Sequence, residues 1–229
     1  MKTFEPSIDR VTSLFDRSPL MQRISPPALK TLASLAVIRQ YEKNEILYYA
    51  ENPCNNFVLV ETGMIRVSRY SALGKRLTHL LASSGEAINL VSVFTGKTKE
   101  NVCEAATDST VVAIDRKAFL AFAFENTQLV INIVDTLGQA IDGSNQRILE
   151  MQEKKVVDRL IRVLHGLSEK FGPHLHFTAM ELADLASTTT ESALRILGDM
   201  RQRGIIEKGR GQIHILKPEA LMPPEIDGF

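Results

Sequence analysis

Residues 177–215 read FTAMELADLASTTTESALRILGDMRQRGIIEKGRGQIHI, and this stretch decides the architecture of the C-terminal part of the chain. Its first apolar cluster, at 182–186, predicts a short amphipathic helix. Residues 187–190 supply the hydroxyl side chains that favour a turn and a helix N-cap. The next apolar residues recur at helical spacing and are Ala193, Leu194, Ile196, Leu197 and Met200. The stretch therefore predicts a helix-turn-helix, with Ala183 small enough to let the two helices approach closely.

The segment after the second helix predicts a two-stranded wing. Gly204 ends the helix, and short strand patterns follow at 205–207 and 212–215. Lys208-Gly209-Arg210-Gly211 joins them and places two cations at the tip of the hairpin.

The polar residues of this stretch favour DNA recognition over a purely structural helix pair, which the two helices alone would fit equally well. Arginine suits guanine, glutamate accepts from cytosine, and hydroxyl groups suit phosphates. The predicted DNA-binding residues are Thr178, Thr188, Thr189, Thr190, Glu191, Ser192, Arg195, Lys208 and Arg210. The turn of such a motif commonly carries glycine, but here it holds Ser187, which must adopt or avoid a left-handed conformation at some energetic cost.

Composition alone is ordinary. The 229 residues carry 27 basic and 27 acidic side chains, so the formal net charge is zero. Residues 154–217 nevertheless hold eleven Lys or Arg against seven Asp or Glu, a modest local excess of positive charge. Two cysteines exclude a disulfide framework, and the N-terminus has no apolar signal region. No apolar run reaches the ~20 residues that cross a bilayer, so we expect a cytoplasmic protein without membrane contact.

The N-terminal half predicts a barrel. After a helical lead-in at 1–37, the apolar period changes to two between Ile38 and Ile114. Strand patterns lie at 45–49, 56–61, 64–70, 76–81 and 110–114, with turn residues between them. Such spacing favours a small antiparallel barrel or jelly roll. A short helix with Phe119, Phe122 and Phe124 is expected to pack on it.

A long helix is predicted at 127–151. Its seam of residues at intervals of three and four comprises Val130, Ile133, Leu137, Ala140, Ser144, Ile148 and Met151. Because the opposite face is polar, we interpret the seam as a coiled-coil dimer interface and expect a homodimer. A further helix is predicted at 156–169, and the tail from Pro218 shows no periodic pattern and is expected to fray.

The fold class is thus α+β in three parts. Residues 1–126 are predicted to form a β-barrel domain with flanking helices, 127–153 a dimerisation helix, and 154–229 a winged helix-turn-helix domain.

This order of parts, over nearly the whole chain, resembles the CRP/FNR family of bacterial transcription regulators. The residues that carry the resemblance are Val60-Glu61-Thr62-Gly63-Met64-Ile65-Arg66-Val67, Gly74-Lys75, Cys103-Glu104-Ala105, Val111-Val112-Ala113-Ile114 and Thr190-Glu191-Ser192 with Arg195. The resemblance implies a cyclic-nucleotide-binding-like barrel, a homodimer, a palindromic double-stranded DNA site and RNA polymerase as an expected partner. It also implies that Glu191 and Arg195 read bases.

The resemblance leaves the effector open. Cyclic AMP-binding members resemble one another in a Gly-Glu-Leu turn and an Arg-Ser pair, where this chain has Asn89-Leu90-Val91 and Lys99-Glu100. Because Glu100 would repel a phosphate, we expect that cyclic AMP does not bind. No cysteine precedes Cys54, so an iron–sulfur cluster of the FNR type is not expected, and the Cys-x-His haem motif is missing. The predicted effector-binding residues are Ala87, Asn89, Leu90, Lys99, Ser144 and Asn145. For Ser144 and Asn145 the alternative is a role in setting the register of the coiled coil.

Other candidate sites are weaker. His174 and His176 lack acidic or Cys partners, so no metal site is predicted. His79 is interpreted as structural, with haem ligation left open. Cys54 and Cys103 are interpreted as free thiols, with redox sensing left open. No nucleophile–base constellation is found, so no catalytic residue is assigned. A constitutive, effector-free DNA-binding regulator and a barrel-based small-molecule carrier are the alternatives.

Overall fold

The computed structural model describes residues 2–72, 74, 76–97, 101–153 and 155–222, without the side chain of residue 153. The chain forms two compact units, Met1–Asp142 and Gly143–Phe229. The boundary between the two units lies within one long helix, although residues 127–153 were predicted to form a separate segment.

The first unit alternates short helices with two antiparallel sheets. Its elements are β1 (Lys2–Phe4), α1 (Ile8–Arg17), α2 (Pro26–Ala33), β2 (Ala36–Tyr41), β3 (Ile46–Tyr48), β4 (Asn56–Thr62), β5 (Ile65–Tyr70), β6 (Arg76–Ala82), α3 (Leu90–Thr95), β7 (Val102–Ala105), β8 (Ser109–Asp115) and α4 (Arg116–Glu125). The strands pair in the orders β1-β2-β8-β4 and β3-β7-β5-β6, all antiparallel. The predicted antiparallel barrel or jelly roll is confirmed.

Residues alternating along these strands form the core. One cluster lies beneath α1, α2 and α4, and a second, around Ile65 and Cys103, fills the space beside β5 and β7. Phe57 of β4 stacks on Phe119 of α4, with ring centroids 4.0 Å apart. Phe119 and Phe122 pack as predicted, but Phe124 is 74% exposed, because it points away from the barrel at the end of the helix.

Three elements escaped the sequence analysis. Strand β1 lies inside the stretch expected to be helical, whereas β2 begins at the end of that stretch and continues ahead of the first predicted strand run. Strand β2 pairs with β8 from Ala36↔Ile114 to Tyr41↔Ser109. Helix α3 begins at Leu90, within a segment interpreted as a turn. These pairings and contacts join residues far apart in sequence, and local periodicity does not reveal them.

The long helix α5 spans Thr127–Glu153, but its predicted seam is partly wrong. Ile133 is 4% exposed and belongs to the core of the first unit, and Val130 and Leu137 pack against that core. The later seam residues Ile148 and Met151 are exposed, at 54% each. A second row of exposed apolar residues, Ile131, Val134 and Ile141, lies outside the predicted seam and meets it at Ile148, and these three are 55–63% exposed. The helix therefore has one apolar face covered by its own barrel and another that is uncovered.

The second unit holds the end of α5, then α6 (Val156–Phe171), β9 (His174–Leu175), α7 (Ala179–Leu185), α8 (Thr190–Gln202), β10 (Ile206–Gly209) and β11 (Gln212–Ile215). The strands form an antiparallel sheet in the order β10-β11-β9. The expectation of a frayed tail from Pro218 is wrong up to residue 222, because Pro218–Leu221 forms a 3-10 turn that buries Leu221 completely. Residues 223–229 lie outside the described part.

Candidate nucleic-acid interface and effector cavity

The helix-turn-helix is built from local capping interactions. Thr178 caps α7 by a reciprocal capping box with Glu181: the Thr178 hydroxyl accepts from the Glu181 N–H at 3.2 Å, and the Thr178 N–H donates to the Glu181 carboxylate at 2.7 Å. Thr189 caps α8 by accepting from the Ser192 N–H at 3.2 Å. Leu182 and Ala183 of α7 are buried against α8, as the spacing predicts.

In the turn between α7 and α8, one serine adopts a strained backbone conformation. Ser187 has φ +50°, so it adopts the left-handed conformation that glycine takes more easily. The Thr188 N–H donates to the Ala183 carbonyl at 2.9 Å and closes the turn.

An arginine missed by the sequence analysis holds this turn from outside. The Arg159 side chain of α6 donates from Nε to the Ala186 carbonyl at 3.0 Å and from Nη2 to the Ser187 carbonyl at 3.3 Å. These carbonyls lie at the end of α7, where backbone acceptors lack helical partners and a cation is favourable. The spacing of α6 predicts an amphipathic helix, but nothing in it indicates which polar side chain faces the turn.

The first turn of α8 presents polar side chains to solvent. Thr190, Glu191 and Arg195 are exposed, whereas Ser192 is half-buried and its hydroxyl lies 3.0 Å from that of Thr189. Thr188 is also half-buried. Side chains at the N-terminal part of the second helix are those that reach base edges in DNA-binding helix-turn-helix proteins.

The wing lies in the same unit. Strands β10 and β11 pair from Ile206↔Ile215 to Gly209↔Gln212, which leaves Arg210 and Gly211 as a two-residue turn with Gly211 at φ +71°. Arg210 is exposed at the tip and Lys208 is half-buried on β10. The exposed α8 residues and the wing cations thus lie in one small domain, with the side-chain types that base edges and phosphates accept.

A cavity of about 370 Å³ lies in the first unit, between the 85–92 segment and α5. Its walls include Ile88, Leu90, Leu80 and Leu137, so they are largely apolar. Among its described lining residues, Glu86 is the single carboxylate and no lysine or arginine occurs. The Glu86 carboxylate accepts from the N–H of Ser83 at 2.7 Å and from its hydroxyl at 3.0 Å, so it is anchored in the protein.

The predicted effector residues fall into three groups. Ala87, Asn89 and Leu90 line this cavity. Lys99 lies outside the described residues. Ser144 and Asn145 are exposed on the part of α5 that belongs to the second unit, and neither lines the barrel cavity.

Asn89 has a structural task in the cavity wall. Its Nδ2 donates to the Asn56 carbonyl at 2.6 Å and to the Cys54 Sγ at 3.3 Å, while its Oδ1 accepts from the Val58 N–H at 3.2 Å. The amide therefore fastens the cavity wall to β4.

Two polar groups in the wall of the barrel cavity, on Tyr48 and Asn101, limit which ligands can bind there. Burial raises the pKa of the Tyr48 phenol far above its ordinary range, so the hydroxyl stays protonated. Asn101 Oδ1 is buried and accepts no hydrogen bond from the part of the chain that the structure describes. A ligand with an N–H or O–H group would satisfy this acceptor.

Histidines and cysteines do not assemble into a metal site. Across the described ranges, no group of three or more His, Cys, Asp or Glu side chains is placed to hold a metal ion. His174 stacks on His214 with centroids 3.9 Å apart, and His176 lies beyond the end of β9. Cys54 and Cys103 are both buried. Nor does any described helix combine the length and apolarity needed to span a bilayer.

Two family models match the chain, the cyclic nucleotide-binding domain over residues 38–126 and the Crp-like helix-turn-helix domain over residues 158–223. The cyclic AMP receptor protein of Thermus thermophilus is 22% identical over 202 residues, which cover 86% of this chain and 92% of that protein. The solved structure of FixK2 from Bradyrhizobium japonicum is 20% identical, with a TM-score of 0.73 over 81% of this chain and 95% of that chain. The c-di-GMP-responsive regulator CLP of Xanthomonas campestris is 18% identical, with a TM-score of 0.72 over 83% of this chain and 99% of that chain.

A winged helix-turn-helix behind a cyclic-nucleotide-binding-type barrel defines a DNA-binding transcription regulator. The chain belongs to the CRP/FNR family, as its motifs indicate.

Proposed function

We propose that this family member is a homodimeric regulator that reads a two-fold-symmetric DNA site, acts on RNA polymerase, and is controlled by an uncharged, largely apolar effector rather than by cyclic AMP. The observation that carries the choice of effector is the composition of the barrel cavity. The DNA-reading part rests on the exposed polar residues of α8 and the cations of the wing.

The cavity disfavours a buried phosphate. A phosphodiester needs a guanidinium fork or several N–H donors when it leaves water. The described lining offers the carboxylate of Glu86 instead, beside apolar walls. The same lack of cations counts against the two propionates of a haem, although His79 lines the cavity and supplies one imidazole. An uncharged molecule with one hydrogen-bond donor for Asn101 Oδ1 suits the walls better.

Native mass spectrometry of protein purified from its source is the direct test, together with calorimetric titration of cyclic AMP. We expect a retained uncharged metabolite and no heat from cyclic AMP at concentrations up to about 1 mM. Ala140→Met should displace the metabolite, because Ala140 lines the cavity, whereas Ala121→Met, at an exposed position of α4, should retain it. Micromolar binding of cyclic AMP would contradict the proposal that the effector is an uncharged molecule.

The dimer is supported by the uncovered stripe of α5. Val134, Ile141 and Ile148 are separated by seven residues each, and Ile131 precedes Gly138 and Asn145 at the same interval. These are the a and d positions of a heptad repeat, and their side chains are exposed in the single chain. Two copies packed along this stripe would present their recognition helices to successive major grooves, about 34 Å apart.

Base readout is assigned to Glu191 and Arg195, with Thr190 adjusting which bases are accepted. Phosphate contacts are assigned to Lys208, Arg210 and the hydroxyls near the helix caps, namely Thr178, Thr188, Thr189 and Ser192. Because phosphates are neutralised without regard to sequence, the two groups should differ in their effect on specificity.

A further inference from the structure

A second cavity, of about 390 Å³, lies wholly within the second unit. One wall is the end of α5, the second is α6, and the third is the turn of the helix-turn-helix at Ala186 and Ser187. It is separate from the barrel cavity and shares no lining residue with it. We call it the arginine cavity.

Its lining is cationic and partly apolar. Arg147, Arg159 and Arg162 line it against one carboxylate, that of Glu150. Met151, Val163, Leu167 and Leu185 supply the apolar part. Such a combination suits a ligand with one anionic end and a short apolar body.

The Glu150 carboxylate is already neutralised. It is 9% exposed and bonds to Nη1 of Arg162 at 2.7 Å, and it accepts from Gln146 Nε2 at 3.2 Å. Arg159 donates to the carbonyls of the turn. The described lining thus holds three guanidinium groups and one carboxylate, and that carboxylate is paired with Arg162.

One donor in the cavity has no acceptor. Arg162 Nε is buried and makes no hydrogen bond within the described residues, although a buried guanidinium N–H left unpaired is unfavourable. In arginine, Nε and Nη2 lie along one edge of the guanidinium, and that edge binds a carboxylate through two parallel hydrogen bonds. Glu150 bonds to Nη1, so the Nε edge is the part of the guanidinium that this carboxylate does not use.

We propose that the arginine cavity binds a small organic carboxylate with a short branched apolar tail. The carboxylate takes the Nε edge of Arg162, and the tail lies against Met151 and Leu167. Gly143 and Gly166 in the walls leave room, because a Cβ built on either residue meets no atom within 4 Å.

Occupancy of this site would be coupled to DNA binding. Ala186 and Ser187 form one wall, and their carbonyls are held by another lining residue, Arg159. If DNA binding changes the geometry of this turn and thereby the affinity of the cavity for its ligand, the ligand must change the affinity for DNA by the same factor, since coupling between two binding sites is reciprocal.

Methyl NMR of the full chain tests the proposal, with isovalerate as the probe and isovaleramide as its uncharged match. Of the seven methionines, Met151 lines the arginine cavity, and Met151→Leu assigns its 13C-methyl signal. We expect a saturable shift of this signal with isovalerate, with a dissociation constant of about 1 mM, and no saturable shift with isovaleramide.

Two variants separate binding from folding. Arg162→Gln with Glu150→Gln keeps a hydrogen-bonding pair but removes the cation, and should weaken isovalerate binding at least about tenfold. Gly166→Leu fills the cavity while leaving Arg162 in place, and should weaken it to a similar degree. An equal response to the amide, no change in the double variant, or no saturation by about 20 mM would each overturn the proposal. These readouts do not depend on DNA binding or on the barrel effector.

Discussion

Replacing Arg159 by methionine isolates what holds the recognition helix in place. Methionine keeps most of the length and the apolar stem of the side chain but removes both donors to the turn. The carbonyls of Ala186 and Ser187 then lose hydrogen bonds of 3.0 and 3.3 Å. Hydrogen bonds to charged groups contribute about 1.5–3 kcal/mol each at best.

The expected magnitude is smaller than that ceiling. Both bonds are longer than the 2.7–2.9 Å typical of strong charge-assisted pairs, and Arg159 and Ser187 are only half-buried, so water can replace part of the interaction. We expect a loss of about 1 kcal/mol for each bond, or about 2 kcal/mol in the free energy of unfolding of the second unit. The melting temperature of this unit should fall by roughly 10 °C. If the turn loses its geometry, the affinity for specific DNA should fall by up to roughly 30-fold.

Ser187→Gly provides a partner variant for Arg159→Met. Glycine relieves the left-handed conformation at φ +50° and should recover about 0.5–1 kcal/mol in the Arg159→Met background. Arg17→Met is the matched control, because Arg17 donates to the Ser13 carbonyl of its own helix α1 through a solvent-exposed hydrogen bond. Differential scanning calorimetry and fluorescence anisotropy with a labelled operator give the two readouts. A loss below about 0.5 kcal/mol with unchanged DNA affinity would refute the assignment of Arg159 as a positioning residue.

Three further predictions address the dimer, the DNA interface and the barrel. Ile141→Glu should produce a monomer in sedimentation velocity, because it places a charge on the uncovered stripe. The control variant Gln139→Glu changes a residue of α5 outside the stripe and should stay dimeric. A dimer in the Ile141→Glu variant would contradict the proposal that the stripe is the dimer interface. Arg195→Ala should reduce the free energy of DNA binding by about 1–3 kcal/mol, mainly on the specific site. Arg210→Ala should weaken binding to every DNA sequence and reduce the slope of log affinity against log salt concentration by about one, as measured by fluorescence anisotropy. Equal losses on specific and random DNA for Arg195→Ala would contradict its base-reading role. Gly63→Ala should lower the free energy of unfolding of the barrel by several kcal/mol in chemical denaturation, because the added Cβ would lie closer than 3.0 Å to the backbone of Asp108 and Ser109. A change below about 1 kcal/mol would show that this turn can relax.

The parts of the fold that local sequence determines were predicted well. Helix α8 ends before Gly204 and β11 occupies the predicted residues 212–215, because caps, glycines and strand alternation are short-range signals. From the sequence, Ser187 could either adopt or avoid a left-handed conformation, and the structure shows that it adopts one, at φ +50°.

The failures concern partners that a residue meets only in three dimensions. On α5 the apolar residues form two faces, and periodicity cannot say that Ile133 meets the barrel while Ile141 meets solvent. Arg159 is 28 residues from Ser187, and the single amphipathic pattern of α6 does not single it out. Leu221 follows a stretch without period, yet it is fully buried, since a 3-10 turn needs no repeating pattern to bring one side chain into the core.

The amide of Asn89 has a consequence for the thermodynamics of ligand entry. Because it bonds Asn56, Val58 and Cys54 in the free chain, the conformational entropy of ordering this wall is lost during folding and not during association. Binding in the barrel should therefore resemble the docking of a ligand to a preformed surface. The heat-capacity change of association should scale with the apolar area that the ligand covers, without the additional contribution that accompanies the folding of a loop around its ligand.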